Sequence, residues 1–292
     1  MTGQVARLRV PVTETVVLSA FPRGLEELHK TPFLLVHGLA SNARMWDGVG
    51  VALTKLGHPS IAIDQRGHGR ATKPDDGYDF GTLTNDLLRV IDEMDIDPPI
   101  VVGQSWGGNV VMELGARFPG RVKGVVGVDG GTIELSAGLP QWEQAAAALA
   151  PPDLRGTPVT ELEAWIRQAH PDWPESGIEG TLANFQVLAD GTVAPWLTRE
   201  HHMTILRQLW EHHPARLYPR IRVPVLLQCA QPLHEDAARA RMRTASIEAA
   251  QQAIGRVTVE WFSPADHDLH AQFPERCARS LADFAASITD SP

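Results

Sequence analysis

Short apolar runs alternate with helical patterns along most of the chain. The runs cover residues 15–18, 33–36, 60–63, 100–102, 122–128, 223–227 and 257–261, and they are rich in Val, Ile and Leu. Most lack an apolar–polar alternation, which predicts strands buried on both faces of a parallel sheet. Between them, residues 45–56, 83–94, 105–118, 236–254 and 274–288 carry helical spacing. In the last of these, Cys277, Leu281, Phe284 and Ile288 share one face. Strand–helix alternation of this kind predicts an α/β layered domain.

Residues 135–215 break the pattern. No good strand is visible there. Helical faces appear instead, with Leu162, Trp165, Ile166 and Ala169 on one and Met203, Leu206 and Trp210 on another. Pro151, Pro152, Gly156, Pro171, Pro174 and Pro195 punctuate the stretch, and five of the eight tryptophans fall in it: Trp142, Trp165, Trp173, Trp196 and Trp210. The predicted organisation is a core made of residues 1–134 and 216–292, with a helical insertion over 135–215.

Composition narrows the function classes. The chain has 292 residues, 43% hydrophobic and 21% charged, which is ordinary for a globular protein with a sizeable core. Its net charge of −9 removes the positive footprint of a nucleic-acid binder or an anionic-membrane binder. Arg239, Arg241 and Arg243 form the densest basic group and read as a solvated helix face. Two cysteines, Cys229 and Cys277, make no disulfide framework. The start shows no signal peptide and no apolar run is long enough to span a membrane, so a soluble, cytoplasmic protein is expected. Monomer and homodimer are both compatible with this composition.

The sharpest chemical signal is Gly103-Gln104-Ser105-Trp106-Gly107, which follows the apolar run at 100–102 and opens a helical pattern. It fits a nucleophile elbow, a strained strand-to-helix turn that exposes a serine hydroxyl above a sheet. His37-Gly38 follows another strand. A loop there can approach the elbow, so the backbone N–H groups of Leu39 and Trp106 are candidate oxyanion donors. Gly38 is a candidate pocket residue, and His37 reads as a support for the loop shape.

Five stretches together resemble the α/β-hydrolase family with a helical cap: LLVHG at 34–38, DQRGHG at 64–69, GQSWGG at 103–108, VPVLL at 223–227 and HDLHAQFPE at 267–275. The resemblance implies a mostly parallel eight-stranded sheet flanked by helices, a helical cap and Ser105 as the nucleophile. It also implies His267 as the base, because its spacing to Pro274 matches the family; His270 is the competitor. Asp64, Arg66 and His68 match a structural turn. The usual acid position after the run at 223–227 holds Gln228-Cys229-Ala230-Gln231-Pro232-Leu233, without a carboxylate. A minority arrangement, seen in haloalkane dehalogenases and zearalenone-type lactonases, points instead to Asp129, with Glu235 and Asp236 as alternatives.

The resemblance therefore implies a cofactor-free and metal-free serine hydrolase acting on an ester or lactone. A carbon–carbon bond hydrolase, amidase or thioesterase is the runner-up within the fold, and a slow-turnover, receptor-like binder is the alternative of another class. Dehalogenases and epoxide hydrolases place Asp where Ser105 stands. The cap tryptophans suggest an apolar pocket, with Trp196 and Trp210 as lining candidates, for a mostly neutral small-molecule substrate. His201-His202 and His212-His213 match no metal-site spacing.

Overall fold

The computed structural model describes residues 6–27, 30–96 and 98–289. β1 (Leu8–Pro11) and β2 (Val17–Arg23) pair antiparallel at the start. β3 (Phe33–Val36), α1 (Asp47–Lys55), β4 (Ser60–Asp64), α2 (Phe80–Glu93), β5 (Ile100–Gln104), α3 (Trp106–Arg117) and β6 (Gly124–Val128) then alternate. The chain leaves the sheet for α4 (Leu135–Gly138), α5 (Trp142–Leu149), α6 (Val159–Ala169) and α7 (Glu175–Leu182). The hairpin of β7 (Phe185–Val187) and β8 (Val193–Pro195) follows, then α8 (Arg199–Glu211). The return is β9 (Val225–Ala230), α9 (Ala237–Ala253), β10 (Val257–Phe262), α10 (Leu269–Gln272) and α11 (Pro274–Thr289).

The eight-stranded sheet runs β1-β2-β4-β3-β5-β6-β9-β10. From β4 to β10 every pairing is parallel. Each residue of β3, β4, β5, β6 and β9 is buried, because helices cover both faces. Alternate strand positions feed two cores. Leu34, Val36, Ile61 and Ile63 face Leu83 and Leu87 of α2 and Val110 of α3. Phe33, Leu35 and Ala62 face Val49 and Leu53 of α1 and Leu281 and Phe284 of α11. The strand order reverses between β3 and β5, and ligand sites of open α/β sheets lie at the carboxyl ends of strands beside such a reversal. Those ends carry His37-Gly38 and Ser105.

A third, smaller core holds the segment between β6 and β9 together. Leu162, Ile166, Trp173, Ile178 and Val193 pack there with Met45 and Ala271 of the main body. That contact seats the insertion over the carboxyl end of the sheet.

Four expectations are corrected. β1 and the extension of β2 to Arg23 exceed the run at 15–18, since the antiparallel end of the sheet needs only one buried face. The β7–β8 hairpin lies inside the stretch expected to be free of strands. Its turn is made locally, with Gly191 at φ +80° and Asp190 Oδ1 accepting the Thr192 N–H at 3.0 Å. Trp165 points outward at 46% exposure, so the buried stripe of α6 is Leu162 and Ile166. Arg243 is not on a solvated face: its side chain pairs with Glu235 and stacks 5.5 Å above the Trp261 ring. Among the described residues, no helix is long and apolar enough to cross a membrane.

Candidate active site

Ser105 stands alone between β5 and α3 with φ +52° and ψ −121°, a backbone conformation L-residues rarely adopt. The turn is held by its surroundings. The Ser105 N–H donates to Val128 O at 3.0 Å, and Ser105 O accepts the Gly108 N–H at 2.9 Å. Three glycines make room. A Cβ on Gly103 would lie 2.1 Å from Gly107 O, one on Gly107 2.4 Å from His37 O, and one on Gly130 2.3 Å from Ser105 O. Only hydrogen fits at these contacts. Ser105 Oγ has no hydrogen-bond partner among the described residues. It opens at the amino end of α3, where the helix dipole favours negative charge.

His267 lies in the loop between β10 and α10, with Nδ1 2.6 Å from Asp129 Oδ2. A carboxylate only accepts, so Nδ1 carries the proton and Nε2 keeps a lone pair. Asp129 has φ +39° at the end of β6. Its N–H donates to Gln228 O at 2.7 Å, and its Oδ1 accepts the Ala230 N–H at 3.0 Å. The end of β9 thus supplies no carboxylate of its own but orients the one on β6. Burial pulls the His267 pKa down, yet the Asp129 hydrogen bond and charge outweigh it, and the net shift is upward from 6.5.

The structure does not bring the other carboxylates to His267. Glu235 is held by Arg243. Asp236 caps α9, accepting the N–H groups of Ala238 at 2.9 Å and Arg239 at 3.1 Å. His270 is fully buried against Trp46, with ring centroids 4.3 Å apart, and neither ring nitrogen has a partner. Burial and the nearby His267 and His37 push its pKa down to about 3.

The loop after β3 reaches the elbow. Gly38 lies so close that a Cβ there would sit 3.1 Å from Ser105 Cβ. The Leu39 N–H finds no acceptor among the described residues, and the Trp106 N–H, first in α3, has none within the helix. His37 supports this loop. Its Nε2 accepts the Gln65 N–H at 3.1 Å and its Nδ1 donates to Gly38 O at 2.7 Å. Burial lowers its pKa to about 4, so the ring is neutral. His68 repeats the device. Its Nε2 accepts the Ala40 N–H at 3.3 Å, and burial holds it well below the usual imidazole range. Asp64 accepts the Ala43 and Arg70 N–H groups, each at 2.9 Å. Arg66 is clamped by Asp86 at 2.6 and 2.7 Å. This turn scaffolds the loop.

Ser105, His267 and Leu39 share a cavity of about 160 Å³ with Trp173, Asn184 and Asp268. A second cavity of about 360 Å³ adjoins it through Ala40, Ser41 and Asn184 and contains Trp196. Arg155 and Arg199 also line it, so this space is less apolar than the tryptophans of the insertion suggest. Trp210 is elsewhere: its Nε1 donates to Leu139 O at 2.7 Å and its ring meets Trp142 at 6.0 Å. Trp173 takes the place expected of it, its Nε1 donating to Asp266 Oδ2 at 3.2 Å. Nothing local in the sequence separates Trp173 from the other four. A larger cavity of about 840 Å³ at Thr31, His58 and Asp283 touches none of these residues. Among the described residues no group of three or more His, Cys, Asp or Glu could hold a metal ion. His212 and His213 pair with Glu113 and Glu134 at 3.3 and 2.7 Å.

A family model for the alpha/beta hydrolase fold matches residues 31–194. The chain is 34% identical over 118 residues to a putative non-heme haloperoxidase of Mycobacterium phage D29, covering 40% of this chain and 42% of that protein. The chain thus spans less than half the length of the curated relatives it matches. Among solved structures, E-2-(acetamidomethylene)succinate hydrolase superposes with a TM-score of 0.76 and 22% identity, over 97% of this chain and all of that one. An enol-lactonase from Burkholderia xenovorans LB400 gives 0.68 and 19%, over 95% and 99%. At these identities the solved structures share the fold.

Proposed function

Since the chain belongs to the alpha/beta hydrolase family, we propose that it cleaves a carboxylic ester or lactone through an acyl-enzyme on Ser105. One observation carries this reading: Ser105, on its strained turn, and His267, oriented by Asp129 at 2.6 Å, open onto one cavity.

In this reading His267 Nε2 takes the Ser105 proton as Oγ attacks the substrate carbonyl. The oxyanion of the tetrahedral intermediate is held by the N–H groups of Leu39 and Trp106, which have no competing acceptor. Asp129 stabilises the imidazolium. The proton then passes to the departing alkoxide, which leaves as an alcohol or, from a lactone, as the tethered hydroxyl. Water, deprotonated by His267, attacks the acyl-enzyme and releases the acid. No step calls for a cofactor.

The cavity at Ser105 is about 160 Å³, below the roughly 300 Å³ at which ordinary ligand sites begin. The substrate therefore uses adjoining space, which is present past Asn184 toward Trp196, about 360 Å³, and on the other side of His267 beside Asp129 and Ile133, about 600 Å³. Neighbours of the same fold include an enol-lactonase and an enzyme named for degrading N-acyl homoserine lactone, which supports the ester-or-lactone class.

The experiment is burst-phase hydrolysis of p-nitrophenyl acetate and butyrate, with Ser105→Ala as control. A burst that vanishes in the variant is the expected result. Turnover that survives the substitution would overturn the assignment.

A further inference from the structure

Three aspartates surround His267, and two of them have donors. Asp129 Oδ2 accepts from His267 Nδ1 at 2.6 Å, and its Oδ1 accepts the Ala230 N–H at 3.0 Å. Asp266 Oδ2 accepts from Trp173 Nε1 at 3.2 Å and lies 3.6 Å from His170 Nδ1. Asp268 is different. It stands at the start of α10, where an aspartate ordinarily accepts backbone N–H groups, yet its side chain caps nothing. No donor reaches its carboxylate among the described residues, and both oxygens remain open to a water-sized atom. Asp268 lines the same cavity as Ser105 and His267, and no Lys or Arg among the described residues lines it. Burial pushes its pKa up from 3.8, and the charges of His267 and His170, the two imidazoles of that cavity, pull it back. An enclosed carboxylate without a counter-charge is costly, so it marks a place where a ligand supplies one.

We infer that Asp268 is a specificity-determining residue whose carboxylate receives a positively charged amine of the substrate. The natural substrate is then an ester or lactone with an ammonium group close to the scissile carbonyl, not the neutral molecule that the tryptophans suggest. This deepens the reading of Ser105 as nucleophile and rests on it. The cavity holds about 160 Å³, which keeps the amine within a few bonds of the carbonyl. A carboxylate only accepts, so an apolar group in that place would leave it desolvated and unpaired, and an anionic group would be repelled. A hydroxyl would fill one oxygen but leave the charge uncompensated. The substrate cation also neutralises a charge that would otherwise oppose the oxyanion forming at Leu39 and Trp106.

The test compares three methyl esters of one shape, methyl glycinate, methyl glycolate and methyl propanoate, which place an ammonium, a hydroxyl or a methyl group beside the same carbonyl. Methanol release is followed at about pH 6.5, roughly one unit below an α-amino pKa, so that the amine is charged. The quantity read is the ratio of kcat/KM for glycinate to that for propanoate, in wild type, Asp268→Asn and Asp268→Ala. The esters' own reactivity and the fraction of active protein cancel when ratios are compared between proteins. Each variant should lower the glycinate ratio by about 10-fold or more, the loss of a hydrogen bond between charged groups. The glycolate ratio should fall less in Asp268→Asn, whose amide oxygen still accepts. A glycinate ratio within twofold of wild type in both variants would overturn the assignment, as would an equal loss for all three esters, which marks a role in the chemistry itself. Hydrolysis that persists in Ser105→Ala would overturn the nucleophile instead, leaving the ratios to judge Asp268. If none of the esters is turned over, binding of methyl glycinate to Ser105→Ala is followed by tryptophan fluorescence. The Kd should weaken about 10-fold when Asp268→Asn is added, and an unchanged Kd or no saturable binding would overturn the assignment.

Discussion

Asp129 reaches His267 from a left-handed backbone conformation, φ +39°, with its Oδ2 2.6 Å from His267 Nδ1 and its Oδ1 3.0 Å from the Ala230 N–H. One carboxylate thus joins β6, β9 and the loop after β10. Aspartate and asparagine are among the few side chains that tolerate this conformation, so Asp129→Asn should fold.

In that variant the amide oxygen can still accept from Ala230, which turns the NH₂ toward His267 and forces the wrong imidazole tautomer. We expect kcat/KM for p-nitrophenyl butyrate to fall on the order of 10⁴-fold. The pH profile carries the same information. His267 must be neutral to act as base, and Asp129 raises its pKa from 6.5, so wild-type activity should climb with pH through a value above 6.5. Any residual activity of Asp129→Asn should climb at lower pH. A Glu235→Gln variant that did the same damage would transfer the role to Glu235.

Ser105 holds an unfavourable backbone conformation that glycine adopts freely. Relief of about 1–3 kcal/mol of strain, less about 0.5–1 kcal/mol for glycine's extra unfolded freedom, leaves a net gain on the order of 1 kcal/mol. Ser105→Gly should therefore be inactive yet more stable than Ser105→Ala in urea denaturation. Equal stability of the two variants would show that the turn is not strained.

Gly130 is needed for close approach. A methyl group there would lie 2.3 Å from Ser105 O and 2.6 Å from Ser105 N, both backbone atoms that cannot swing aside. Gly130→Ala should displace the nucleophile and lower kcat by about 100-fold, the cost of misplacing a reacting group by about 1 Å. Gly156→Ala is the control. It sits at φ +86° with nothing near its Cβ, so it should cost stability but not turnover.

His270 should make the protein acid-sensitive. Its pKa is pushed from 6.5 down to about 3 in the folded state, so below pH 6.5 the unfolded chain binds the proton that the folded one refuses. Stability is then lost as pH falls from 6.5 toward 3, by roughly 2 kcal/mol from this residue at pH 5. Denaturation of wild type and His270→Leu at pH 7 and pH 5 checks this. The variant should lose less on acidification, and parallel losses would remove His270 as a cause.

Much of the molecule was written in contiguous residues. The apolar runs from 33–36 to 223–227 correspond to β3 through β6 and β9, because a strand covered on both faces must be apolar throughout, and the run at 257–261 is the half-exposed edge strand β10. Gly103, Ser105 and Gly107 announce the sharp turn because the backbone there permits little else. The β7–β8 hairpin was not legible, since its three-residue strands are too short to show a period. What the chain could not declare locally is how its parts meet. The sequence leaves Asp129, Glu235 and Asp236 as rivals. Only folding sets β6 against β9, so that Ala230 holds Asp129 toward His267 while Arg243 and α9 occupy the other two. Five tryptophans in the insertion look alike in sequence. Packing against Met45 and Ala271 puts Trp173 over Ser105 and leaves Trp210 beside Trp142. Turn chemistry depends on neighbours along the chain and is readable there. The cavity and the pairing of the carboxylate depend on neighbours in space, and those exist only once the insertion and the sheet have closed on each other.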